Sequence, residues 1–426
     1  MEKKSNHFSG QIGFVLAAAG SAVGVGNLWR FPYLAAKDGG GLFLIIYLAL
    51  VLTFGFTLLV SDIAIGRRTK KSAIGAYTEM HPKWKFLGIL TFIVPVLIMT
   101  YYAVIGGWIT RYAVVYLTGS AKAAAGDDYF SSFISSPVSP VVYALLFMGV
   151  TAVIVYKGVQ GGIEAVSKWM MPVLLVLVVA VAVYSLTIKH TDENGQLRTG
   201  LEGLLYYVTP HTEGLMVSRF LQILLDAMSQ LFFSLSVSMG IMITYGSYVS
   251  PEVNLNRAVN QIELFDTGVA LFAGAMIVPA VFVFSGTEGM SAGPSLMFVS
   301  LPKVFAAMGK AGVVVGVLFF VTAIFATLTS CISVLESIVA NCMEIFHTSR
   351  KKTVLVLSAV YLAASALIAL LSTILIGWVK KPGFVIEEME RGGRAFRRKK
   401  VYIIMIRYIA PVMMLILFLQ STGILQ

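Results

Sequence analysis

Two apolar segments carry polar chemistry where a membrane helix tolerates it least. Gly20 to Pro32 reads GSAVGVGNLWRFP, which puts three glycines, Ser21, Asn27 and Arg30 in the middle of a greasy run. Phe232 to Gly240 reads FFSLSVSMG and places Ser234, Ser236, Ser238 and Gly240 at the same depth of a second run. Glycine and small hydroxyl residues weaken a helix, and a carbonyl freed inside hydrocarbon is costly unless something satisfies it. A break at either place therefore calls for water, an ion or a ligand. Exposed carbonyls suit a cation, and the N-termini of half-helices suit a carboxylate. Close helix packing through small residues accounts for the glycines, but it gives no reason for Asn27 and Arg30.

The elements that must position these residues are membrane spans. The 426 residues are 58% hydrophobic and 12% charged, with a mean hydropathy of +0.84, whereas soluble chains carry about 25% charged residues. A soluble enzyme and a disordered chain are excluded. Runs long enough to cross the bilayer as helices, about 20 residues each, lie at roughly 11–36, 40–65, 88–117, 140–156, 167–187, 219–245, 264–286, 312–346, 353–379 and 401–420. The interrupted ones are the first and the sixth. Two broken spans five helices apart point to an inverted-repeat transporter whose site lies where the breaks meet. The sequence thus predicts an all-α integral membrane protein of the 5+5 inverted-repeat type. A single transporter domain covers 1–426: a first repeat at about 10–187, an incomplete second repeat at about 219–379, and a final helix at about 401–420.

The net charge of +11 is concentrated between spans and reads as a topology signal, not as a nucleic-acid surface. Arg67, Arg68, Lys70, Lys71, Lys83 and Lys85 follow the second span, whereas 188–217 holds Asp192, Glu193, Glu202 and Glu213. The positive-inside rule then puts the N-terminus in the cytoplasm. Lys3, Lys4 and the Ala17-Ala18-Ala19 run imitate a signal peptide, but the apolar stretch continues past any cleavage point to Arg30. Farther on, Arg350, Lys351 and Lys352 and the basic segment 380–400 both demand the inside, yet only the run 353–379 separates them. One crossing is missing, so about ten spans are expected where a related plan has eleven.

No enzyme chemistry offers itself. His7, His81, His190, His211 and His347 are scattered mainly in loops, no HExxH motif or phosphate loop occurs, and Cys331 and Cys342 share one helical run too far apart for a disulfide.

Four motifs in order resemble the bacterial neurotransmitter:sodium symporters, the sodium-coupled amino-acid transporters: GSAVGVGNLWRFPY, TYYAVIGGW around Tyr101 and Tyr102, QLFFSLSVSMGIMITYGSY, and ATLTSCISVLE. The resemblance implies two sodium sites. One would use the Ala22 carbonyl, Asn27, Ser234 and Asp266 with the substrate carboxylate, hard oxygen donors suited to a small cation. The other would use the carbonyls of Gly20, Val23 and Ala326 with the hydroxyls of Thr329 and Ser330; ordinary bonding of these hydroxyls to their own helix is the alternative. Asp266 stands where some relatives have asparagine, and its charge would make chloride unnecessary.

The same resemblance places the substrate among Ala22, Gly24, Gly26, Tyr102, Phe233, Ser234, Ser236, Met239, Ser330 and Val334. Monoamine carriers of the family have aspartate at the position of Gly24, so glycine implies an amino acid, and Met239 with Val334 favours a hydrophobic or aromatic one. Arg30 and Gln230 would form the outer gate. The tenth-helix acid that pairs with this arginine is absent, because the stretch 353–379 joins the start of the family's ninth helix to the end of its tenth. Asp226, four residues before Gln230, is the expected substitute partner. Gly162 and Pro172 match a Gly-X9-Pro element that lets the fifth span unwind, and Glu344 holds the partner position of an inner lock in which Ser5 and Phe8 replace Arg and Trp. The function implied is sodium-coupled symport of an amino acid across the cytoplasmic membrane by alternating access. The alternative is a shortened, non-transporting relic or interaction protein of the same family.

Overall fold

The computed structural model describes residues 7–136, 138–191, 195–286, 289–290, 293–361 and 408. Within them six unbroken helices are long and apolar enough to cross a membrane: Gly41–Thr69, Pro82–Leu117, Ser139–Tyr156, Val159–Thr187, Leu255–Ser285 and Lys310–Phe346. These are the second to fifth, seventh and eighth spans. The first span is a bent pair, Gln11–Ala22 and Gly26–Lys37, turned by 54° at the break. The sixth is likewise in two pieces, Val217–Ser234 and Ile241–Ser247, with an unwound stretch between.

Helix limits move where the chain supplies its own caps. The seventh span begins at Leu255, well before its apolar run, because the Asn254 side chain accepts the Arg257 N–H at 3.1 Å; an N-cap of this kind satisfies an otherwise orphaned amide. The fifth span starts at Val159 with a π-turn through Gly161 and Gly162 and continues as α-helix from Ala165. In the loop after it, strands Lys189–Thr191 and Leu197–Thr199 pair antiparallel, and a capping box between Thr199 and Glu202 starts the helix Gly200–Val208.

The eighth span packs along the third and the seventh along the fifth; the first half of the first span is wedged among the fifth, seventh and eighth, and its second half packs against the seventh and the sixth. The burial pattern follows this arrangement: more than half of the apolar stretch of the seventh and eighth spans is buried, against 39% for the second to fifth. The more peripheral spans therefore present apolar faces to the lipid. A further helix begins over 350–361. The expected deletion in 353–379 beyond residue 361 and the expected tenth and final span at 401–420 lie outside the described residues, apart from Tyr408.

Candidate substrate and ion site

The first break is held open by its own side chains. Helix Gln11–Ala22 stops at Val23, whose backbone is extended. The Gly24 N–H that loses its helical partner donates to Asn27 Oδ1 at 3.1 Å. In the sixth span, Ser236, Ser238 and Gly240 all adopt positive φ, at 52°, 60° and 74°. Left-handed conformations are unfavourable for serine and persist only when the surroundings fix them. Here Ser236 Oγ donates to the Ser21 carbonyl at 3.1 Å, and the Ser238 N–H donates to Asp62 Oδ2 at 2.8 Å. Each break therefore secures the other, and a carboxylate of the second span holds the sixth.

The breaks meet around a small pocket. From the first span it takes Ser21, Ala22, Gly24 and Asn27; from the third, Ile98 and Tyr102. Phe233, Ser236, Met239 and Ile241 of the sixth and Ser330 and Val334 of the eighth complete it. Eight of the ten expected substrate residues thus line one cavity. Gly26 and Ser234 stand just outside its wall. A Cβ at Gly26 would lie 2.8 Å from Phe233 Cδ1, and one at Gly24 would lie 2.8 Å from Tyr102 Oη and 2.9 Å from Ser330 Oγ. Glycine at 24 and 26 is the condition for the two aromatic side chains to approach the backbone. Tyr102 Oη also accepts the Val25 N–H at 3.3 Å.

Two groups of oxygen atoms flank the pocket. In one, Asn27 Nδ2 donates to Asp266 Oδ1 at 2.9 Å and to Ser234 Oγ at 3.1 Å, while the Ser234 hydroxyl lies 2.9 and 3.0 Å from the two Asp266 oxygens. All three residues are buried. In the other, Ser330 Oγ donates to the Ser21 carbonyl at 2.9 Å and stands 3.2 Å from the Val23 and 3.4 Å from the Gly20 carbonyl. Thr329 Oγ1 bonds back to the Phe325 carbonyl at 2.9 Å and lies 3.2 Å from that of Ala326. Its hydroxyl takes the self-bonded alternative, and Gly20 abuts it, since a Cβ there would lie 3.1 Å from Thr329 Cβ.

The outer gate departs from expectation. Arg30 donates to Ser229 Oγ at 2.8 Å and to the Ser229 carbonyl at 3.4 Å. Asp226, expected to pair with Arg30, instead binds Lys37 Nζ at 2.9 Å, because Lys37 sits at the end of the same half-helix and reaches it first. Arg219 and Asp38 extend the cluster, paired at 2.9 Å. Gln230 is fully buried and donates to the Gly26 carbonyl at 3.4 Å.

At the opposite end Glu344 accepts the Ser72 N–H at 2.6 Å, which ties the eighth span to the segment after the second. It has no bond to the N-terminal segment among the described residues, and Ser5 lies outside them. That segment is instead fastened by Phe8, buried against Phe14, Tyr245 and Tyr248, and by Ser9, whose N–H donates to Glu164 at 2.8 Å. Lys168 pairs with the same carboxylate at 2.6 Å. Gly162 sits in the π-turn and Pro172 within the continuous helix, so the fifth span is wound through both.

Sequence reasoning missed Ile98, Ile241 and Asp62, and it noted Ser21 at the break without placing it in the pocket. Ile98 was legible, since it stands one helical turn before Tyr102 and so shares its face. Asp62, a lone acid in an apolar run, was a signal of the same kind as Asp266.

A description of the sodium:neurotransmitter symporter family fits residues 5–132 and 137–370. The chain belongs to that family. This symporter is 37% identical over 356 residues to the uncharacterized sodium-dependent transporter YhdH of Bacillus subtilis, a match covering 82% of this chain and 75% of that one. It is 32% identical to an uncharacterized sodium-dependent transporter of Methanocaldococcus jannaschii, over 86% and 75% of the two chains. Among solved structures it is similar to MhsT in complex with L-phenylalanine, with 34% identity, a TM-score of 0.73 and coverage of 98% and 99%. The symporter is a multi-pass membrane protein with discontinuous first and sixth spans.

Proposed function

We propose that this chain carries a hydrophobic or aromatic amino acid across the cell membrane together with sodium, its N-terminus in the cytoplasm. The observation that supports this best is Gly24, whose bare backbone lets Tyr102 Oη and Ser330 Oγ converge on the break of the first span. The substrate carboxylate accepts from Tyr102 there, and the aliphatic or aromatic side chain lies against Phe233, Met239, Ile98 and Val334. An aspartate, as an amine substrate would need, has no room at that point. The similar protein MhsT takes L-phenylalanine, which agrees with the apolar side of the pocket.

The first sodium is bound by Asn27, Ser234 and Asp266 with the Ala22 carbonyl and the substrate carboxylate. The Asp266 charge neutralises the cation within low-dielectric surroundings, so chloride is not required. The second sodium takes the carbonyls of Gly20, Val23 and Ala326 with Thr329 and Ser330. Both ions bridge the first span to another helix, and ligands that bind one conformation better than the other shift the population toward it. Gly162 and Pro172 give the fifth span a place to open toward the second ion.

Purified protein in proteoliposomes tests the reading. An inward sodium gradient is expected to drive accumulation of labelled phenylalanine, leucine or tryptophan above equilibrium, and none without sodium. Sodium-dependent binding without accumulation would leave the non-transporting relic as the answer.

A further inference from the structure

A second cavity lies away from the substrate pocket, where the third span ends and the eighth begins. Its walls are apolar and include Tyr116, Phe305 and Val313, and its lining carries two lysines, Lys122 and Lys310. Three observations say what chemistry it takes. Both lysines are exposed and neither forms an ion pair among the described residues, although the nearby Lys303 is engaged with Asp127 at 2.5 Å. The Tyr116 side chain is 2% exposed, yet its hydroxyl is buried without a hydrogen-bond partner, and a buried hydroxyl left unpaired is unfavourable. The cavity sits at the ends of two membrane spans, and Phe305 and Ala306 of the short apolar helix Leu296–Ala307 form part of its wall.

We propose that this cavity binds one acidic phospholipid. Its phosphate lies between Lys122 and Lys310, a glycerol or ester oxygen accepts from Tyr116, and an acyl chain occupies the apolar interior along Phe305 and Val313. Two lysines give a lipid phosphate charge-assisted hydrogen bonds, and the apolar walls at Phe305 and Val313 favour a lipid over a free anion. The bound lipid joins the helix Leu301–Ala307 to the third and eighth spans, both of which also line the substrate pocket.

The test uses the full-length protein in neutral detergent and reads thermal stability and retained lipid by native mass spectrometry. Phosphatidylglycerol is expected to raise the melting temperature and to stay bound as a single copy, whereas phosphatidylcholine does neither. Lys122→Glu with Lys310→Glu, on an exposed rim where folding is not threatened, abolishes the difference, and the Lys→Arg pair retains it. Val313→Trp fills the interior and lowers retention without altering the rim. Equal protection of the wild type and the double glutamate variant by phosphatidylglycerol overturns the proposal. So does equal protection by glycerol phosphate alone, which would make the ligand a soluble anion.

Discussion

Asn27 of the first span and Asp266 of the seventh touch across the bundle at 2.9 Å, with Ser234 of the sixth bonded to both. Three spans thus share one polar point inside hydrocarbon. The carboxylate there is buried completely and has two neutral donors but, among the described residues, no cationic side chain bonded to it, an arrangement that favours a metal cation.

Asp266→Asn removes the charge and leaves the shape. Half-maximal sodium for uptake is expected to rise at least tenfold, about 1.4 kcal/mol. Wild-type uptake should be indifferent to replacing chloride with gluconate, and the asparagine variant should gain a chloride requirement. Collapse of wild-type uptake in gluconate would refute the assignment.

Gly24→Ala places a methyl group 2.8 Å from Tyr102 Oη and 2.9 Å from Ser330 Oγ. Overpacking of a well-filled site costs roughly 1–3 kcal/mol. Amino-acid binding measured by scintillation proximity should weaken about tenfold or more, and the melting temperature of the ligand-free protein should fall as well, because Tyr102 and Ser330 must give way. Unaltered affinity would remove Gly24 from the pocket.

Lys37 and Asp226 form the outer ion pair in place of the expected Arg30–Asp226 contact. The pair is partly exposed, at 36% and 18%, and exposed pairs are worth about 0.2–1 kcal/mol. A double-mutant cycle with Lys37→Met and Asp226→Asn should return a coupling of that size in thermal stability. A cycle of Arg30→Met with Asp226→Asn should return a smaller one, and the reverse order would restore the original pairing.

Glu336 and Arg350 meet at the other end of the molecule at 2.5 and 2.8 Å, 0% and 11% exposed, with Tyr248 donating to the same carboxylate at 2.6 Å. Removing one partner of a buried pair leaves an uncompensated charge and costs about 3–5 kcal/mol. Glu336→Gln should lower the melting temperature clearly, whereas Lys351→Gln beside it should not. Equal melting of the two variants would show that the pair contributes nothing.

The two broken spans and most of the pocket were legible because their residue types contradict their surroundings: glycine, serine and asparagine are conspicuous among leucine and valine. Pairings were not. Asp226 and Arg30 share a region, but Lys37 lies at the end of the same half-helix and competes for the carboxylate, a matter of three-dimensional reach that helical spacing does not contain. The start of the seventh span was missed for a different reason. Its first turns are polar, and hydropathy does not register a helix defined by the Asn254 cap. Thr329, adjacent to Ser330, shows a further limit. Neighbouring hydroxyls look equivalent in a sequence, yet one turns back to its own helix and the other crosses to the first span.

Ser330 lines the amino-acid cavity and also touches the carbonyls of Gly20, Ser21 and Val23. One oxygen atom is therefore common to cargo and helix break, so whatever draws it toward one is felt by the other without any relay through intervening side chains. Linkage over so short a lever does not pass through the residues at either end of the molecule, so those doors can vary without touching it.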